Sequence, residues 1–151
     1  MSIKQWLVSL ATFATLAFLP LTVALADSSP IGSWRTYDLS RTPRSIVKIY
    51  SSGNQLQGQI IKILPTKGAT PKDLCTACKG SAQNKPKLGM VVIWGLTKEG
   101  DKWVNGTILD TDSGKTYRCQ VSTSPDGRTL YLHAYVGTPL FGKTVNWERA
   151  R

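Results

Sequence analysis

Histidine is all but missing from this chain of 151 residues: there is one, His133, alongside three cysteines and nine acidic residues. A single Cys75-x-x-Cys78 and a single histidine do not make the four-ligand set of a zinc site. Asp110 and Asp112 do not make a calcium loop either, because Gly114 comes one position early and residue 121 is Val where that loop needs Glu. They read as turn formers, and no metal site is expected. His133 lies on a strand-like stretch between Tyr131 and Tyr135, with no nucleophile or carboxylate among its sequence neighbours. No catalytic constellation is visible, so an enzyme is not expected, nor is any cofactor.

Helical periodicity is also scarce, and after residue 25 so are long apolar runs. The one long run, Trp6 to Leu25, follows Lys4 and ends in Ala24-Leu25-Ala26. This is the pattern of a signal peptide over residues 1–26, with a small-x-small cleavage site near Ala26. An uncleaved membrane anchor is the alternative that its length permits. Cleavage implies a periplasmic or secreted bacterial protein with no stable membrane anchor, whose residues 27–151 suffice for one domain.

Cations far outnumber acids. The 19 Lys and Arg against nine Asp and Glu give a net charge of +10, and removal of residues 1–26 with Lys4 leaves 18 − 9 = +9. The cations are scattered from Arg35 to Arg151, a distribution that suits solubility and attraction to an anionic envelope surface. No nucleic-acid-binding motif appears, and nucleic acid is not an expected partner.

What the chain does hold is period-two alternation punctuated by turns. Strands are expected from Trp34 to Leu39, 45–51, 55–64, 89–97, 102–109, 116–122, 129–136 and 141–149, with turns at Ser52-Gly53-Asn54, Glu99-Gly100-Asp101, Asp110 to Gly114, Pro125-Asp126-Gly127 and Gly137-Thr138-Pro139. Eight short antiparallel strands with no covering helix point to an all-β, eight-stranded up-and-down barrel, with a sandwich as runner-up. Gly32-Ser33-Trp34 at one end and Trp147-Glu148-Arg149 at the other can close it, with the guanidinium of Arg149 stacked on the Trp34 indole.

Residues 65–87 break the alternation. A connection this long carries a function or needs a staple. A disulfide between Cys75 and Cys78, with Cys119 a buried thiol, is the first expectation; a bridge from either to Cys119 is the alternative. Redox catalysis is disfavoured because the motif does not open a helix.

Several motifs then combine: Gly32-x-Trp34, Cys75-x-x-Cys78 followed by Gly89, Trp103-x-x-Gly106, Asp110 to Tyr117 with Gly114-Lys115-Thr116-Tyr117, and Gly142 to Trp147-x-Arg149. Together they make the chain from Ile31 onward resemble a bacterial exported family known as domain of unknown function 2147. The resemblance implies a lipocalin-like barrel with an internal apolar cavity. The Gly-x-Trp with a terminal arginine is similar to the calycin signature. No assigned activity comes with the family.

Alternation allows Val47, Ile49, Ile60, Met90, Val92, Trp94, Tyr117, Cys119, Leu130, Leu132 and Ala134 to face one interior, with the register of 90–96 open because both faces of that strand are apolar. Of these, Val47, Ile49, Ile60, Met90, Trp94, Tyr117, Leu132 and Ala134 are the candidate ligand-binding residues. The small Gly106 and Ala134 favour a cavity over a filled core. Two functions remain in view: a binding protein holding a small lipophilic molecule in its barrel, and a ligand-free structural or protein-interaction module acting through its basic surface and the 65–87 loop.

Overall fold

The computed structural model describes Leu19, residues 28–65 and residues 74–151. The expected signal peptide and its cleavage site, and part of the long loop, lie outside the described residues. Eight antiparallel strands, β1 (Gly32–Tyr37), β2 (Pro43–Ser52), β3 (Gln55–Ile63), β4 (Val91–Glu99), β5 (Lys102–Leu109), β6 (Thr116–Thr123), β7 (Thr129–Tyr135) and β8 (Gly142–Arg149), follow one another around a closed barrel. A 3₁₀ turn at Gly80–Ala82 lies in the long β3–β4 connection. The barrel closes where β8 meets β1, pairing Trp34 with Arg149 and Arg35 with Glu148. Closure leaves no free sheet edge, which is what an all-antiparallel chain without helices requires.

β1 ends two residues earlier than the alternation suggested. Asp38 stops it: its carboxylate oxygen Oδ1 accepts the backbone N–H of Ser40 and of Thr42, both at 2.9 Å, and folds 38–42 into a turn that leaves Leu39 exposed. The up-and-down order places one set of connections, including the 100–101 and 124–128 turns, at the end where Arg149 lies. The β1–β2 turn, the 64–90 loop, the 110–115 turn and the 136–141 loop lie at the other end.

β4 departs most from simple alternation. Gly95 has φ +76° and Asn105 on the neighbouring strand has φ 61°, so a bulge resets the sequence of inward positions. Val92, Ile93 and Leu96 join the core, and Trp94, expected in the interior, turns outward with 36% exposure. Ile93, paired with Gly58 and Ile108, takes the interior place instead.

The core is filled from the Arg149 end. Trp34, Ile49, Ile93, Leu96, Cys119 and Leu130 have no exposed surface. A Cβ added to Gly106 would lie 2.5 Å from Leu96 Cδ2 and 2.9 Å from Cys119 Sγ, and one on Gly58 would lie 3.1 Å from Ile93 Cβ. The expectation that Gly106 opens a cavity is therefore corrected: the glycine is small because Leu96 already occupies the space its side chain would need. The same packing buries the Cys119 thiol and pushes its pKa up to about 12.

Candidate functional site

The closure is built outward from Trp34. Its indole Nε1–H donates to the carbonyl of Pro30 at 2.8 Å, which draws the segment before β1 across the barrel end. Arg149 Cζ lies 4.2 Å from the centre of that indole. The guanidinium donates to three backbone carbonyls: Nε to Gly127 at 2.6 Å, Nη2 to Ser29 at 2.8 Å and Nη1 to Ile31 at 3.1 Å. One planar cation thus ties the entering chain to the β6–β7 turn, a task its fixed fork of donors suits and a single ammonium does not. Gly32, at φ +135°, is required here because a Cβ would fall 2.5 Å from the same guanidinium. This end is plugged.

The opposite end is built from longer loops and is less filled. By register, Val145 faces the interior beside Leu132, Tyr117 beside Ile108, and Ala134 beside Cys119. Met90, Ile108, Ala134 and Val145 pack against the core yet stay partly exposed, and Tyr117 is half-buried as well. Deeper, Val47, Ile49, Ile60 and Leu132 are buried. The candidate ligand-binding set therefore divides in three: those four in the core, Met90, Tyr117 and Ala134 toward the open end, and Trp94 on the outer wall. On the inner face near this end, the hydroxyls of Thr36 and Ser45 hydrogen-bond to each other at 2.8 Å. Among the described residues no buried side-chain nitrogen or oxygen lacks a partner, and by register Lys143 stands opposite Ala134 on the same face at the mouth.

Cys75 and Cys78 form a disulfide with a Cα–Cα separation of 5.3 Å, and Cys119 is a free, buried thiol. The bridge belongs to a docked loop. Cys75 N–H bonds to the Lys85 carbonyl at 2.8 Å, and a Cβ on Gly114 would collide with the Ala77 carbonyl, so the stapled loop sits directly on the 110–115 turn. Lys87, 6% exposed, anchors it further through Nζ–Asp112 Oδ1 at 3.0 Å, and Arg44 reaches Asp112 Oδ2 at 3.3 Å. Nothing in the sequence pattern singled out Lys87, because a cation buried by a neighbouring loop looks like any surface lysine until the loop is placed. The bulge at β4 did leave a signal: Gly95 sits mid-strand in an otherwise apolar run.

His133 has both ring nitrogens occupied, Nε2 with the Pro139 carbonyl at 2.6 Å and Nδ1 with the Thr144 hydroxyl at 2.9 Å. It stacks on Tyr135 with ring centres 5.9 Å apart. Its contacts pin the 136–141 loop. Two recesses lie on the outside of the barrel, one of about 220 Å³ beside His133 and Tyr131 and one of about 450 Å³ beside Ile61, Ile63 and Leu88. Among the described residues no group of three or more His, Cys, Asp or Glu side chains is placed to hold a metal.

Against known folds, the barrel is similar to the solved structure of protein HP1028 from the human pathogen Helicobacter pylori, which is described as belonging to the lipocalin family. The TM-score is 0.69 at 20% sequence identity, over 82% of this chain and 84% of that one. At that identity the likeness speaks for the fold, which is lipocalin-like. No curated protein matches the chain. A family model described as uncharacterised protein conserved in bacteria matches residues 32–149, which run from the closure glycine to the closure arginine. The chain belongs to that bacterial family, DUF2147.

Proposed function

We propose that the protein is an exported lipocalin-like binding protein that holds a small lipophilic molecule at the open end of its barrel. The observation that carries this reading is the gradient of burial along the interior. Toward Arg149, Trp34, Leu56, Leu96, Val121 and Leu130 are at most 1% exposed and Trp103 is partly exposed, whereas toward the other end Met90, Ile108 and Ala134 are apolar, packed against the core and partly exposed. Lipocalin-like architecture supports it, since a barrel of eight strands has room for one small guest where its side chains do not fill it.

The filled lower half sets the affinity. Burying on the order of 300 Å² of apolar ligand surface at the mouth gives ~7 kcal/mol before the cost of association. A dissociation constant in the micromolar range or weaker follows. An environment-sensitive apolar dye therefore binds saturably, one per barrel, and long-chain fatty acids displace it. Ala134→Phe fills the mouth and abolishes binding, while Trp94→Ala on the outer wall leaves it unchanged. Absence of saturable binding, or binding untouched by Ala134→Phe in a variant that melts at the parent temperature, overturns the proposal.

A further inference from the structure

The most exposed large apolar side chains of the barrel are gathered at one place. Leu39, Val136, Leu140 and Phe141 are 84%, 69%, 89% and 79% exposed, and the next, Leu88 at 57%, lies at the same end. Single exposed leucines are ordinary, but four on two loops at one barrel end form a patch. The loops flank the barrel seam, because β1 and β8 are neighbours and the β1–β2 turn and the β7–β8 loop lie at the same end of them.

Both tips are held in shape. The Asp38 carboxylate fixes the first, with Arg41 N–H on the Asp38 carbonyl at 3.0 Å. The second is a turn closed by Phe141 N–H on the Thr138 carbonyl at 3.2 Å and tied to the barrel wall by His133 on Pro139. These side chains are therefore presented to solvent by ordered backbone.

The surroundings are cationic. Arg41, Lys79, Lys85, Lys115 and Lys143 are exposed on the connections and strand ends at this end. The acids here are engaged within the protein: Asp38 in its own turn, Asp110 by the Ser113 hydroxyl at 2.6 Å, and Asp112 by Arg44 and Lys87. We propose that this rim docks onto an anionic phospholipid bilayer, the apolar tips entering below the phosphates while the cations lie at headgroup level. The patch is split over two connections whose apolar side chains are 69–89% exposed, an arrangement suited to a deformable lipid interface rather than to a flat protein partner. Apolar contact and charge attraction then act together, as they do for interfacial helices. The inference does not depend on a guest in the barrel, since the rim side chains point away from the interior.

The test uses the chain without residues 1–26, whose barrel closes between residues 32 and 149, sedimented with vesicles of phosphatidylcholine alone or mixed with phosphatidylglycerol. Binding is expected to the mixed vesicles only, weakened about tenfold or more by the double substitution Leu140→Ser/Phe141→Ser and by added salt. Trp94→Ser, an apolar-to-polar change on the barrel wall, leaves it intact, and the rim variant melts at the parent temperature because Leu140 and Phe141 are exposed. Failure to sediment with anionic vesicles overturns the proposal. So does binding that survives the rim substitutions, which means adsorption by charge alone. A concentration-dependent dimer lost in Leu140→Ser/Phe141→Ser likewise overturns it, making a second copy of the chain the occupant.

Discussion

Removal of the Arg149 side chain tests the closure most directly. Two of its three hydrogen bonds, to Gly127 and Ser29, are part-buried, and the third, to Ile31, is exposed. Taking about 1.5 kcal/mol for each part-buried charged bond and little for the exposed one gives ~3 kcal/mol. Stacking on Trp34 adds ~1 kcal/mol. The side-chain entropy regained on truncation offsets up to ~1.5 kcal/mol. Arg149→Ala should therefore cost roughly 2–3 kcal/mol, a fall in melting temperature on the order of 10 °C for a domain of this size. Arg149→Lys recovers the charge but not the fork, and should regain less than about half of the loss. Trp34→Ala costs more, about 3–5 kcal/mol, because it also opens a cavity in the core. Urea unfolding of both single variants and the double variant gives the coupling. Losses that add within about 0.3 kcal/mol, or an Arg149→Lys variant as stable as the parent, would refute the claim that the two side chains act as one closure.

Gly106→Ala should destabilise by about 1–3 kcal/mol, since the new methyl must displace Leu96 or Cys119 from a packed interior; unchanged urea unfolding would mean that the barrel is hollow there. Asp126 has its pKa lowered first by the Ser124 hydroxyl and then by the Arg128 backbone N–H. A depressed carboxylate stabilises above the unfolded pKa and loses that contribution as pH falls through its folded value, so the parent should lose stability faster than Asp126→Asn as pH drops below about 4. Parallel pH profiles of the two would contradict the assignment.

Period-two alternation, turn residues and the glycine–tryptophan–arginine pair were enough to write down eight strands and their closure, because each signal acts locally or marks a terminus. Strand 102–109 needed no more than a turn on either side, and strand 141–149 no more than the turn before it. Cys75 and Cys78 could be read as a staple because three residues of separation leave them close in any fold. Which side of β4 faces inward was another matter. Trp94 and Ile93 are both apolar, and only the bulge at Gly95, set by how β3 and β5 pack on that strand, sent the larger side chain outward. Whether the small Gly106 marks a void or a contact also depended on a residue ten positions away, Leu96, brought across the β4–β5 ladder. The sequence by itself determined that the strands are eight and where they turn, and it marked the Gly32, Trp34 and Arg149 side chains able to close one end, since those signals are local to the chain or sit at its ends. Tertiary structure decided how far the filling extends, which apolar side chains line the mouth and which stand exposed on its rim, because burial is a property of neighbours that the chain brings together only by closing.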